Sequence, residues 1–211
     1  MQINFDSYGD EFKIAFERHV QQVWPEIRKL LPVIPKLDEM TFWFNNALIV
    51  PGTNTGGFAL SKNEIALGAD LVEYSILADE MKAGLFHEAY HVAHGFTGEE
   101  TNPDLSALQN AVYEGAACVF EISHADSDPV YARYDQEFIS TWLPQVAELD
   151  ESWKQDFRKW KFWDPETGTK HILYRIGTYV ADQAVEKSGT PIEQLAQCSA
   201  DEIIELAQID T

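Results

Sequence analysis

The chain has 211 residues, enough for one domain with a proper core or for one domain split into two lobes, and at 45% hydrophobic and 24% charged it has an ordinary globular composition. Its 35 Asp+Glu against 15 Lys+Arg leave a net charge of -20, a surface that repels phosphate backbones and anionic membranes and so argues against a nucleic-acid partner. Only Cys118 and Cys198 are present and neither belongs to a CxxC pair, which excludes a disulfide framework; Cys118, behind Gly115-Ala116-Ala117, reads as a buried thiol.

The start, Met1-Gln2-Ile3-Asn4-Phe5-Asp6, has neither the basic segment nor the long apolar run of a signal peptide, and no stretch is apolar for long enough to span a bilayer. A soluble, cytoplasmic protein is the expectation. From about Gly9 to Leu31 the side chains Phe12, Phe16, Val20, Val23, Ile27 and Leu30 recur at helical spacing. Pro25 should kink this helix or begin a second, and Pro32 and Pro35 should end it. Thr41–Val50 is rich in β-formers, and Phe58–Leu60 and Glu64–Leu67 are short candidate strands, set apart by Gly-rich Gly52–Gly57 and a turn at Ser61-Lys62-Asn63. No other segment reads as strand, so one small sheet is expected near the N-terminus.

Beyond about Leu77 the chain reads as helix. Helices are predicted over Asp79–Phe96, over about Leu105–Ser123, once or twice within Asp128–Leu149, and from about His171 to Lys187 with Gly189 past the C-cap. Trp153, Phe157, Trp160 and Trp163 recur at helical spacing and read as core or a groove wall. Thr190-Pro191-Ile192-Glu193 and Ser199-Ala200-Asp201-Glu202 look like capping boxes that open two short terminal helices. A small sheet followed by helices makes an α+β chain.

The chemistry concentrates in His87-Glu88-Ala89-Tyr90-His91, an HExxH on a predicted helix. Residues i and i+4 share a helix face one turn apart, so two neutral imidazoles can converge on one cation, and imidazole suits zinc. Glu88, one step round from His87, lies where it can take a proton from a water on the metal. Leu85, Ala89, Val92 and Phe96 form a separate apolar stripe that can face the core. A catalytic zinc needs a third protein ligand. The metzincin continuation is excluded, because the places of its glycine and third histidine hold His94 and Thr97. His94 lies about 10 Å along the axis from His87 by the 1.5 Å rise, too far to join both histidines on one ion, so it reads as a cleft residue. Glu114 is the better candidate, with Glu121 its competitor; Gly115, Ala116 and Ala117 would let its helix approach the HExxH helix closely.

These residues resemble a bacterial family of predicted zinc-dependent proteases related to the gluzincins. The likeness rests on Asn63-Glu64-Ile65-Ala66-Leu67-Gly68, the HExxH, Glu114-Gly115-Ala116-Ala117 and Tyr174-Arg175-Ile176-Gly177-Thr178-Tyr179-Val180, and spans roughly residues 55 to 205. Many members carry a histidine directly before the second ligand, where this chain has Tyr90. The resemblance implies a zincin-like fold over residues 1–211, with lobes of roughly 1–96 and 97–211 about a cleft, a Zn2+ cofactor held by His87, His91 and Glu114, and hydrolysis of a peptide or protein substrate with Glu88 as general base. It further implies that Gly57, Phe58 and Ala59 lie on an edge strand that pairs with the substrate backbone, the alternative being plain scaffold. Gluzincins also add a Tyr or His donor for the oxyanion; Tyr174 is the first choice here and His171 the second, the two sharing a helix face. The rival readings are a metal-binding regulatory protein that keeps the fold without turnover and an acidic interaction module that mimics nucleic acid. Neither uses Glu88. Substrate identity and oligomeric state have no signature in the sequence.

Overall fold

The computed structural model describes residues 1–5, 10–44, 49–50, 55–69, 74–98 and 104–209. Residues 52–54 of the expected Gly-rich separator Gly52–Gly57 and the middle of the Thr41–Val50 segment, 45–48, lie outside the described residues, while residues 55–57 of that separator are strand, paired with Leu67–Ala69. The contacts divide the chain into two compact units, Met1–Thr101 with Ser123–Ser127, and Asn102–Ile122 with Asp128–Thr211.

The first unit is an α+β layer. Its sheet has the order β1-β2-β4-β3, from β1 (Gln2–Phe5), β2 (Thr41–Phe44), β3 (Thr55–Ser61) and β4 (Glu64–Ala69). β1 and β2 run parallel, as do β2 and β4, while β3 is antiparallel to β4 and forms one edge. The expectation of strands only between Thr41 and Leu67 is therefore corrected by β1, four residues that exist as a strand through their ladder to β2, with Gln2 opposite Thr41 and Phe5 opposite Phe44. Helix α1 (Asp10–Leu30) is continuous through Pro25, which is exposed, so the chain makes one helix there and not two. Its apolar side packs on β2 by edge-on aromatic contacts, Phe12 to Phe44 at 4.8 Å and Trp24 to Phe42 at 5.5 Å between centroids, each worth about 0.5–1.5 kcal/mol beyond area burial. Helix α2 (Tyr74–His94) lies against α1, β3 and β4.

The second unit is helical: α3 (Ala107–Ala125, its last residues counted with the first unit), α4 (Gln136–Ala147), α5 (Phe157–Lys161), α6 (Ile172–Ser188), α7 (Ile192–Leu195) and α8 (Ala200–Ala207). Helix α6 is its centre and touches α4, α5 and α8. Gly189 ends α6 in the left-handed conformation at φ 70, as its place past the C-cap predicts. The capping box at Ser199 and Glu202 forms, but the one at Thr190 does not: Pro191 is itself the N-cap and offers no side-chain acceptor. The aromatic run from Trp153 to Trp163 is not one helix either. A 3₁₀ turn (Glu151–Lys154) gives way to short α5, so Trp153 and Trp160 are buried while Trp163, past the helix end, is 54% exposed and bridges Lys170. Among the described residues no helix is long and apolar enough to cross a membrane.

Gly115 of α3 meets Gly177 of α6, and a Cβ on either would overlap the other helix's backbone. The close approach expected between Gly115 and the HExxH helix is thus made to α6, because the missing Cβ at Gly115 points at Gly177 and Thr178. Gly115→Ala should cost at least the upper end of the ~1–3 kcal/mol typical of overpacking, which lowers the Tm by about 6 °C or more. Thermal melts followed by circular dichroism check this; a Tm within about 2 °C of wild type would show that the crossing yields readily.

Candidate metal centre

From Met81 to Val92 helix α2 is buried nearly all round: Leu85, Phe86, Ala89 and Tyr90 are at most 1% exposed. His87, Glu88 and His91 are buried in the same helix. Three polar side chains in so apolar a setting are costly unless they serve each other or a ligand. The helix register does bring the two imidazoles together, with His87 Nε2 3.1 Å from His91 Nε2 and the rings near perpendicular. Two nitrogens bound to one tetrahedral zinc at 2.0–2.1 Å would stand about 3.3 Å apart, so the observed spacing suits joint ligation. His94 does not join them; it is half-buried with its ring edge-on to Tyr90.

Glu114 completes the donor set. One ligand atom from each of His87, His91 and Glu114 lies within 4.8 Å of the others, and this is the group among the described residues that could hold a metal ion. Two imidazoles and a carboxylate, leaving a fourth position open, are the donor chemistry of a catalytic zinc. Glu121 is buried too, but it accepts a 2.9 Å hydrogen bond from the Tyr131 hydroxyl and stands outside that group. Burial and the nearby Glu121 charge hold the Tyr131 phenol well above its ordinary pKa, so it stays a donor. Glu114→Ala should therefore weaken zinc binding far more than Glu121→Ala, measured by competition against a fluorescent chelator. Equal affinities in the two variants would remove Glu114 from the ligand set.

Glu88 sits against β3. A Cβ at Gly57 would come within 2.6 Å of Glu88 Cγ and Oε1, so only glycine at that strand position leaves the carboxylate its room. Phe58 is 45% exposed and Ala59 is buried.

Lys161 is the site residue the sequence reading passed over. Its Nζ lies 2.5 Å from Glu114 Oε1, with 13% of its side chain exposed, and it faces the rings of Phe157, Phe162 and Tyr174 at 5.3–6.0 Å. The ammonium offsets the buried carboxylate's charge and fixes one of its oxygens. Lys161 is 47 residues from Glu114, and nothing local in Trp160-Lys161-Phe162 marks it.

Tyr174 and His171 are both buried, with rings 6.3 Å apart and Tyr131 beside each. His171 precedes α6 in the left-handed region at φ 58, and its buried Nδ1 has no hydrogen-bond partner among the described residues. Burial, then the charges of Lys170 and Arg175, push its pKa below the usual histidine value, so the ring is neutral at pH 7.

An α+β protein with a buried His-His-Glu group able to bind a metal is the class that fold and site define. The chain belongs to the family described as Predicted Zn-dependent protease (DUF2268), which matches residues 45–205. That description and the donor set together support zinc as the cofactor. No curated protein and no solved structure matches the chain.

Proposed function

We propose that the protein is a zinc peptidase of gluzincin type, with residues 1–211 forming one zincin-like metallopeptidase domain. His87, His91 and Glu114 hold the metal and Glu88 is the general base. The observation that carries this reading is a buried carboxylate, Glu88, one residue round the helix from two converging imidazoles and kept clear by Gly57. A structural zinc site has no use for such a base.

A zinc ion held by these three residues would supply Lewis acidity toward a peptide carbonyl and a water. Glu88 takes the proton from that water and returns it to the departing amine. Lys161 fixes the orientation of the Glu114 carboxylate through Oε1. Charge growing on the carbonyl oxygen needs a donor besides the metal, and His171 is favoured over Tyr174: it is held in a conformation non-glycine residues seldom adopt, with a buried, neutral ring. Asparagine tolerates the left-handed region, so His171→Asn removes the ring with little backbone penalty. It should lower kcat by about ten- to a thousandfold with zinc content unchanged, whereas Tyr174→Phe should change it little. The reverse pattern in steady-state kinetics would give the role to Tyr174.

Metal analysis of protein purified without added metal, then peptide-library digestion with and without chelator, tests the whole reading. Zinc at about one equivalent per chain and chelator-sensitive cleavage are expected. A zinc-loaded protein that cleaves no peptide in a broad library would reassign it as a metal-binding protein without turnover.

A further inference from the structure

The outer edge of β3 is closed on both sides of Gly57. An antiparallel strand turns the N–H and C=O of alternate residues to the same side, and the register pairs Thr55, Gly57 and Ala59 with Ala69, Leu67 and Ile65. On the side away from β4, the Thr55 carbonyl accepts the Val50 N–H at 3.0 Å and the Ala59 carbonyl accepts the Gly98 N–H at 2.9 Å. Gly57 falls between them by the two-residue period, and among the described residues nothing bonds its outward backbone groups. The same residue lies against Glu88.

We propose that β3 reads a peptide substrate's backbone at one residue only, through the N–H and C=O of Gly57, and that Val50 and Gly98 deny pairing at the flanking positions. The inference rests on the peptidase reading above and narrows its substrate class: a short peptide, or a chain extended over a single residue next to the scissile bond, serves as well as a long extended strand. The occupant is peptide backbone because the open slot offers one donor and one acceptor at β-ladder spacing, beside the carboxylate placed as general base. Two chain segments occupy the places where a longer strand would continue its ladder, and Gly98 is seated tightly, since a Cβ there would fall 2.9 Å from the Phe58 ring.

The test is a backbone scan of a peptide that the wild-type protein cleaves in the library digestion. Each amide of the peptide is methylated at nitrogen in turn, and kcat/KM is measured for the series, together with peptides truncated residue by residue from either end. Sensitivity of about tenfold or more is expected at the amide of one residue near the scissile bond and at the scissile amide itself, with less than about twofold change two residues further along. Truncation beyond the near residues should leave kcat/KM level. Losses recurring at alternate residues, or steady gains with length, would show continued strand pairing and overturn the proposal. Insensitivity at every amide but the scissile one would overturn it as well, while leaving the peptidase reading intact. Cleavage of no peptide by zinc-loaded protein would instead sink the peptidase reading on which it stands.

Discussion

Glu88→Gln should keep its zinc and lose about 10²–10⁴-fold in kcat. The amide has nearly the shape of the carboxylate, so it fits beside Gly57, where even a methyl would come within 2.6 Å of Glu88. It cannot accept a proton, and that loss falls on the reaction step and not on the metal, which is held by His87, His91 and Glu114 in the proposed site. Steady-state kinetics on a library-selected peptide, with metal analysis of the same samples, separates the two effects. Near wild-type turnover with normal zinc content would show that another group takes the proton. Loss of zinc together with activity would make Glu88 a ligand.

His87→Ala and His91→Ala should each abolish stoichiometric zinc binding. Both imidazoles point one nitrogen at the same place, 3.1 Å apart, and neither has a nearby substitute, since His94 packs on Tyr90 outside the group. A zinc left with two protein ligands lacks the third anchor that a catalytic site needs, so metal content after dialysis against a weak chelator should fall from about one per chain to below about a tenth. Circular dichroism must show the helices retained for the result to speak about ligation. Full zinc content in both variants would place the site elsewhere in the chain.

What could be read without coordinates is what short-range geometry dictates. The HExxH pairing was legible because a helix fixes i and i+4 on one face whatever surrounds it, and the pair does converge. Glu114 was singled out by the small residues that follow it and by family likeness, since its tie to a motif 23 residues upstream has no local signature of its own. Small residues after Glu114 announced a close helix crossing and assigned it to the HExxH helix, whereas the missing Cβ at Gly115 faces Gly177. Lys161 and β1 were illegible for a shared reason: each acquires its role from a segment far along the chain, Glu114 for the lysine and Thr41–Phe44 for the strand. The aromatic run failed differently. Periodicity read all four rings as core or a groove wall, and the end of α5 at Lys161 leaves Trp163 exposed.

The two bonds that close β3 also bear on how copies of this protein behave in concentrated solution. An uncovered strand edge is a template on which another molecule can add its own strand, and such stacking leads to aggregates and fibrils. On β3 the Val50 and Gly98 amides already occupy the carbonyls of Thr55 and Ala59, so an intruding strand would find one residue's worth of ladder, far short of the run that fibril growth needs. The opposite edge is β1, only four residues long, and short edges recruit poorly. With a net charge of -20 adding mutual repulsion, the sheet can keep a glycine-lined slot beside Glu88 without inviting its neighbours to polymerise through it.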